Sequence, residues 1–91
     1  MSDSAEGTPT HPWERVQVGV RLEKRMVKVL KGLAEYLDMS LGDLLEGMVL
    51  HAFEQKLPFD ATTIQRIAQL KDVYTMDYDT RASHRFPEPE E

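Results

Sequence analysis

Arg15-Val16-Gln17-Val18-Gly19-Val20-Arg21-Leu22 is the one stretch of the chain in which apolar and polar residues alternate. Val16, Val18, Val20 and Leu22 fall on one side, and Arg15, Gln17, Gly19 and Arg21 on the other. Residues two apart share a face of a strand, so the pattern predicts a β-strand with one apolar and one open face. No second run of this kind occurs in the 91 residues. A lone strand leaves both of its backbone edges unpaired and its apolar face uncovered. The partner strand must therefore come from elsewhere, and a second copy of the chain is the nearest source.

Outward from this stretch the period changes. After Glu23 or Lys24 the residues Met26, Leu30, Leu33 and Leu37 recur at helical spacing, flanked by Val27 and Ala34, and predict a helix to about residue 37. Lys24, Lys28 and Lys31 fall almost opposite. That basic face fits a solvated surface partly neutralised by Glu35 as well as it fits a phosphate-facing one. Gly32 costs about 1 kcal/mol relative to alanine inside a helix, which points to another backbone or a bulky side chain approaching there. Ser40 followed three residues later by Asp43 reads as an N-cap with an acidic residue at N3, so a second helix starts at Leu41. Its stripe is broad: Leu44, Leu45, Met48, Val49, Ala52 and Phe53. Gly47, beside the stripe, would let two helices cross closely. His51, also beside it, reads as a half-buried packing residue rather than a ligand or base.

Pro58 ends this helix, because proline disfavours helix in the residue before it. Asp60 resembles another N-cap, with Phe59 and Ile64 placed as a hydrophobic staple. A third helix over about 61–74 would present Ile64, Ile67, Ala68 and Leu70 or Lys71, a thinner stripe expected to pack on the dimer rather than form its core. The chain thus divides into a disordered arm over 1–13, a core unit over 14–56, a C-terminal helix within 57–76 and an acidic irregular tail over 77–91. The arm has almost nothing apolar to offset its ordering entropy. Its His11 lacks a second ligand nearby and reads as a tail histidine. Trp13, at the strand entrance, reads as a cover for a core edge rather than a base-stacking platform.

Composition narrows the function classes. A core unit this small is marginal as a monomer, which favours a dimer. With no cysteine, disulfides and thiolate metal sites are excluded. No apolar run suits a signal peptide or membrane span, so the expectation is a cytoplasmic protein without membrane contact. The net charge is -5, yet residues 15–31 hold six cations against Glu23 alone, while 57–91 hold four cations against seven carboxylates. The distribution therefore permits a polyanionic partner that the sum would disfavour. There is no glycine-rich phosphate loop and no cysteine nucleophile. No pair of histidines or carboxylates sits at ligand spacing on one helix, and Asp77, Asp79 and His84 fit no metal template. A non-enzyme with no cofactor and no metal is expected.

A strand, a basic-faced helix, a serine-capped break and a leucine-rich helix, in that order over residues 15–54, resemble the ribbon-helix-helix family of DNA-binding proteins. The resemblance implies a mostly α fold in which one N-terminal strand pairs between two chains and two helices per chain form the dimer core, here with an extra C-terminal helix and flexible ends. It implies an obligate homodimer that binds double-stranded DNA as a transcriptional regulator or repressor, inserting the antiparallel ribbon into the major groove. Carried onto this chain, Gln17, Gly19 and Arg21 would face the bases. Arg15, Lys24, Arg25 and Lys28 would face phosphates. So would Ser40, Leu41 and Gly42 at the second helix start, where free N–H groups and the helix dipole favour an anion. Val16, Val18, Val20, Leu22, Leu30, Leu33, Leu37, Leu44, Leu45, Met48, Val49 and Phe53 would form the dimer core.

The chemistry of the outward positions stands beside the resemblance. Arg21 can donate two bonds to a guanine edge and Gln17 can pair an adenine edge. Gly19 either narrows base reading to those two or lets the ribbon approach closely. Asp43 competes with a phosphate for the same dipole. The rival reading is a protein-interaction module, or an antitoxin-like protein, whose extension after Leu57 captures a partner protein.

Overall fold

The computed structural model describes residues 13–87. The expected disordered arm, Trp13 apart, and the acidic end beyond Pro87 lie outside them. The chain is mostly helical, with α1 (Lys24–Tyr36), α2 (Leu41–Phe53), α3 (Ala61–Val73) and a short 3₁₀ turn over Thr80–Ala82. None of the described helices is long and apolar enough to cross a membrane.

Each helix starts on a side-chain acceptor. Glu23 caps α1, its Oε1 accepting from the N–H groups of Arg25 at 3.0 Å and Met26 at 3.1 Å. Ser40 Oγ accepts from Asp43 N–H at 3.1 Å, and Asp60 Oδ1 from Thr63 N–H at 2.8 Å. These bonds satisfy donors that the first turn leaves without intrahelical partners. The ends share one device. Asp38, Gln55 and Thr75 have φ between 55° and 58°, and the next residue's N–H reaches back to Ala34, His51 and Lys71 carbonyls respectively, at 2.8–3.0 Å. This is the Schellman closure made without glycine. In Thr75, a β-branched residue, the left-handed conformation is strained.

The core lies where α1 meets the other two helices. Leu30, Leu33, Ala34 and Leu44 are buried, with Leu33 only 2% exposed, and Met26, Leu37, Leu41, Leu45, Met48, Phe59, Ile67 and Leu70 pack around them. Gly32 answers to α3: a Cβ there would lie 3.0 Å from Leu70 Cδ2, so the close approach anticipated at this glycine is a leucine side chain. Tyr36 and Arg66 tie the same two helices, the guanidinium carbon 4.5 Å from the ring centroid.

Within the single chain the surfaces expected to be covered in a dimer stand open. No strand occurs among the described residues, and residues 13–23 join no ladder. The reason is the one already visible in the pattern: a ladder needs a second row of backbone groups, and one chain supplies a single run. Val16, Val18, Val20 and Leu22 are accordingly exposed, Val18 at 70%. On α2 only Leu44 is buried and Leu45 and Met48 are half-buried. Val49 is exposed and Phe53 is 77% exposed, so the outer half of that stripe is uncovered. Gly47 has nothing near a Cβ position, and no helix crosses there in this chain. Ile64 stays exposed while Phe59 packs on the core, and α3 lies chiefly on α1.

Candidate nucleic-acid interface

The residues expected to meet DNA fall on the segment before α1, the first turns of α1 and the start of α2. Gln17, Gly19 and Arg21 are exposed, and a Cβ on Gly19 would meet nothing within 4 Å. Lys24 and Lys28 are exposed on α1. Lys28 Nζ stands 5.8 Å from the Tyr74 ring centroid, an attraction that leaves the ammonium open to solvent.

The two arginines differ from the lysines, because each sits between two carboxylates. Arg15 reaches across to α2, with Nε 3.2 Å from Glu46 Oε2, and Nη2 3.1 Å from Glu46 Oε1 and 3.4 Å from Asp43 Oδ1. Its guanidinium lies over the first turn of α2: a Cβ on Gly42 would be 3.2 Å from Nη2. Of the three residues expected to hold an anion at the helix start, Gly42 has a charged group beside it, and that group is this chain's own cation. Asp43 shares that spot, as its position after the cap foretells.

Arg25 is held more completely. Nε donates to Glu23 Oε2 at 3.0 Å, while Nη1 donates to the Thr75 carbonyl and to Asp77 Oδ1, both at 3.1 Å. Tyr78 packs its ring 5.3 Å below the guanidinium carbon and donates its hydroxyl to Glu23 Oε1 at 2.7 Å. Phe86 meets the Tyr78 ring edge to face at 5.2 Å. Residues 75–86 thus fold back against the N-terminus of α1.

Burial alone would raise the Glu23 carboxyl, but hydrogen bonds from Tyr78, from the Arg25 side chain and from the Met26 and Arg25 N–H groups outweigh it and hold the group at about 2. Burial, helped by the bond to Glu23, pushes the Tyr78 hydroxyl up to about 12. The Glu23 bond raises Arg25 as well. None of the three is near its titration point at neutral pH, so this cluster keeps its ionic lock there.

Sequence reasoning placed Arg15 and Arg25 among the phosphate contacts and did not foresee Glu23, Asp77 and Tyr78 as neighbours of Arg25. Glu23 had a local signal, standing directly before the first helical residue. The tail residues had none, since Tyr78 meets Glu23 across 55 positions. His51 is a packing residue as expected: half-buried, with Nδ1 2.7 Å from the Gly47 carbonyl. Among the described residues no three His, Asp or Glu side chains form a group that could hold a metal ion.

Beside α2 an open groove of about 560 Å³ is lined by Trp13, Arg15, Leu45, Val49 and Leu50 among others. Its floor is apolar and continuous with the uncovered half of the α2 stripe. Compared with protein-family models, with curated proteins and with solved structures, the chain matches none.

Proposed function

We propose that two copies of this chain pair residues 16–22 into an antiparallel ribbon and bind double-stranded DNA through it as a sequence-specific regulator. One observation carries the reading: the alternating valines and the outer half of α2 are both left uncovered in the single chain, and the residues that lead into the valine run, Trp13 to Arg15, line a groove with α2. Val16, Val18, Val20, Leu22, Val49, Leu50 and Phe53 are all exposed, and Trp13 and Arg15 share a groove with Leu45, Val49 and Leu50. Exposed apolar surface of this kind marks an interaction site. A second copy would supply both the missing ladder and the missing cover.

Pairing on the Val16, Val18, Val20 and Leu22 face turns Gln17, Gly19 and Arg21 the other way, toward a groove edge. Lys24 and Lys28 follow on α1 as phosphate contacts. The helical part, α1 and α2, serves as the platform.

The interaction-module reading has its own support in residues 75–86, where Tyr78 and Phe86 stack edge to face and Asp77 pairs with Arg25, so that the segment packs against α1. Selection of bound sequences from a random duplex library, at stated salt, separates the two. Enrichment of a short palindrome, with a dimer by sedimentation, supports the regulator. A dimer that enriches nothing turns the assignment to the interaction module, and a folded monomer removes the ribbon.

A further inference from the structure

Arg25 stands at the first turn of α1, among the cations assigned above to DNA phosphates, and it is already occupied. Its guanidinium meets the Glu23 and Asp77 carboxylates and the Thr75 carbonyl, so one cation faces two anions and a backbone dipole. These acceptors take the Nε and Nη1 donors of Arg25, two of the three nitrogens of the fixed planar fork with which an arginine grips a phosphate. We propose that residues 75–78 act as an internal stand-in for a DNA phosphate on Arg25, keeping that residue from the duplex and lowering the number of phosphates each protomer engages.

The contact has the properties of an exchangeable competitor. Glu23 is bound into α1 as its cap and is largely covered, whereas the Asp77 side chain is 73% exposed and reaches Arg25 across a sequence separation of 52. A solvent-facing ion pair is weak and screened by salt. The backbone that offers the Thr75 carbonyl is the strained left-handed closure of α3, φ 55°. The strap is held over Arg25 from one side by this closure and from the other by the Tyr78 ring and its hydroxyl bond to Glu23. Asp77 is thus the part that can leave while Tyr78 and Glu23 keep the segment docked.

The inference rests on the DNA-binding reading, and its test distinguishes failure of either. Full-length protein, Asp77→Asn, Arg25→Gln and the double variant are titrated against one mixed-sequence duplex from 50 to 200 mM salt, and each is eluted from heparin by a salt gradient. Thermal melts check that all four are folded. Releasing one arginine per protomer adds about one phosphate contact, so the slope of log affinity on log salt should steepen by about 0.9 per protomer in Asp77→Asn. Its affinity at the lowest salt should exceed that of the parent chain, its heparin elution should move later, and both changes should vanish in the Arg25→Gln background. A later heparin elution with no duplex binding in any variant upholds the masking and overturns the DNA assignment. Duplex binding that is unchanged or weaker in Asp77→Asn overturns the masking, because Asp77 would then orient Arg25 for the phosphate instead of withholding it. Retention of no variant by either polyanion overturns both.

Discussion

Two faces of the α1–α2 pair carry the same kinds of side chain and meet different fates. On the side shared with α3, Leu30, Leu33, Ala34 and Leu44 are buried and Leu70 closes over Gly32. On the other side Val49, Leu50 and Phe53 stand exposed, as do the alternating valines of the N-terminal segment. The apolar period is as regular on the uncovered side as on the covered one. A period therefore licenses an element and names its face, while cover depends on having something of the right shape to place there. Within this chain α3 covers one face and leaves the other uncovered.

The sharpest way to break that comparison is Val20→Pro. Proline removes a backbone donor and cannot sit within a paired ladder. If the exposed valines pair between copies, dimer and fold should be lost together, measured by sedimentation and circular dichroism. A variant that folds as a monomer would show that the covered face is sufficient alone.

Next in size is Leu33→Ala. With 2% exposure it should destabilise by about 2–5 kcal/mol in chemical denaturation, as large-to-small core changes do. Phe53→Ala makes the matching probe of the uncovered face. It should be near neutral for a monomer and strongly destabilising for a dimer, and the gap between the two variants measures how unequal the faces are in solution.

Arg21→Ala should weaken binding to the preferred site by about 1–3 kcal/mol and relax preference at one base pair in each half-site. Equal loss on every duplex would move Arg21 to the phosphate contacts. Gly47→Ala probes the crossing point on α2. Nothing lies within 4 Å of the added Cβ, so a monomer should gain about 1 kcal/mol from helix propensity. A loss of stability instead would place a second helix against Gly47.

The smallest effect concerns the ionic lock. Glu23 lies at about 2 in the folded chain against an ordinary 4.5, so its contribution is fully present above pH 4.5 and is lost as the pH falls from there toward 2. Glu23→Gln should flatten the acid limb of the melting temperature over that window and leave the neutral range parallel to the parent.

Much of the helical fold was legible in the sequence. Ser40 and Asp60 announced their caps, since a cap bonds only two or three residues ahead. The helix starts at Leu41 and Ala61 follow from them, and the first two stripes from the 3.6-residue period. Gly32 announced a close approach, though not that Leu70 would make it. The ends of the first and third helices fell within a residue of those expected, whereas the left-handed closures at Asp38, Gln55 and Thr75 were hidden, because they use no glycine.

The candidate site was less legible than the fold. A tally of charge along the chain made residues 15–31 strongly basic, and that count was correct as arithmetic. It did not foresee that Asp43 and Glu46 would come to Arg15, or Asp77 and Tyr78 to Arg25 and Glu23, across separations of 28 to 55 residues. Caps, periods and turns are set by neighbours within about one helical turn, and a sequence displays those neighbours directly. Which distant carboxylate meets which guanidinium depends on how α1, α2 and the returning tail are oriented in space. The proposed pairing of residues 16–22 lies further out still, because a ladder needs a second row of backbone groups and a single chain supplies one such run.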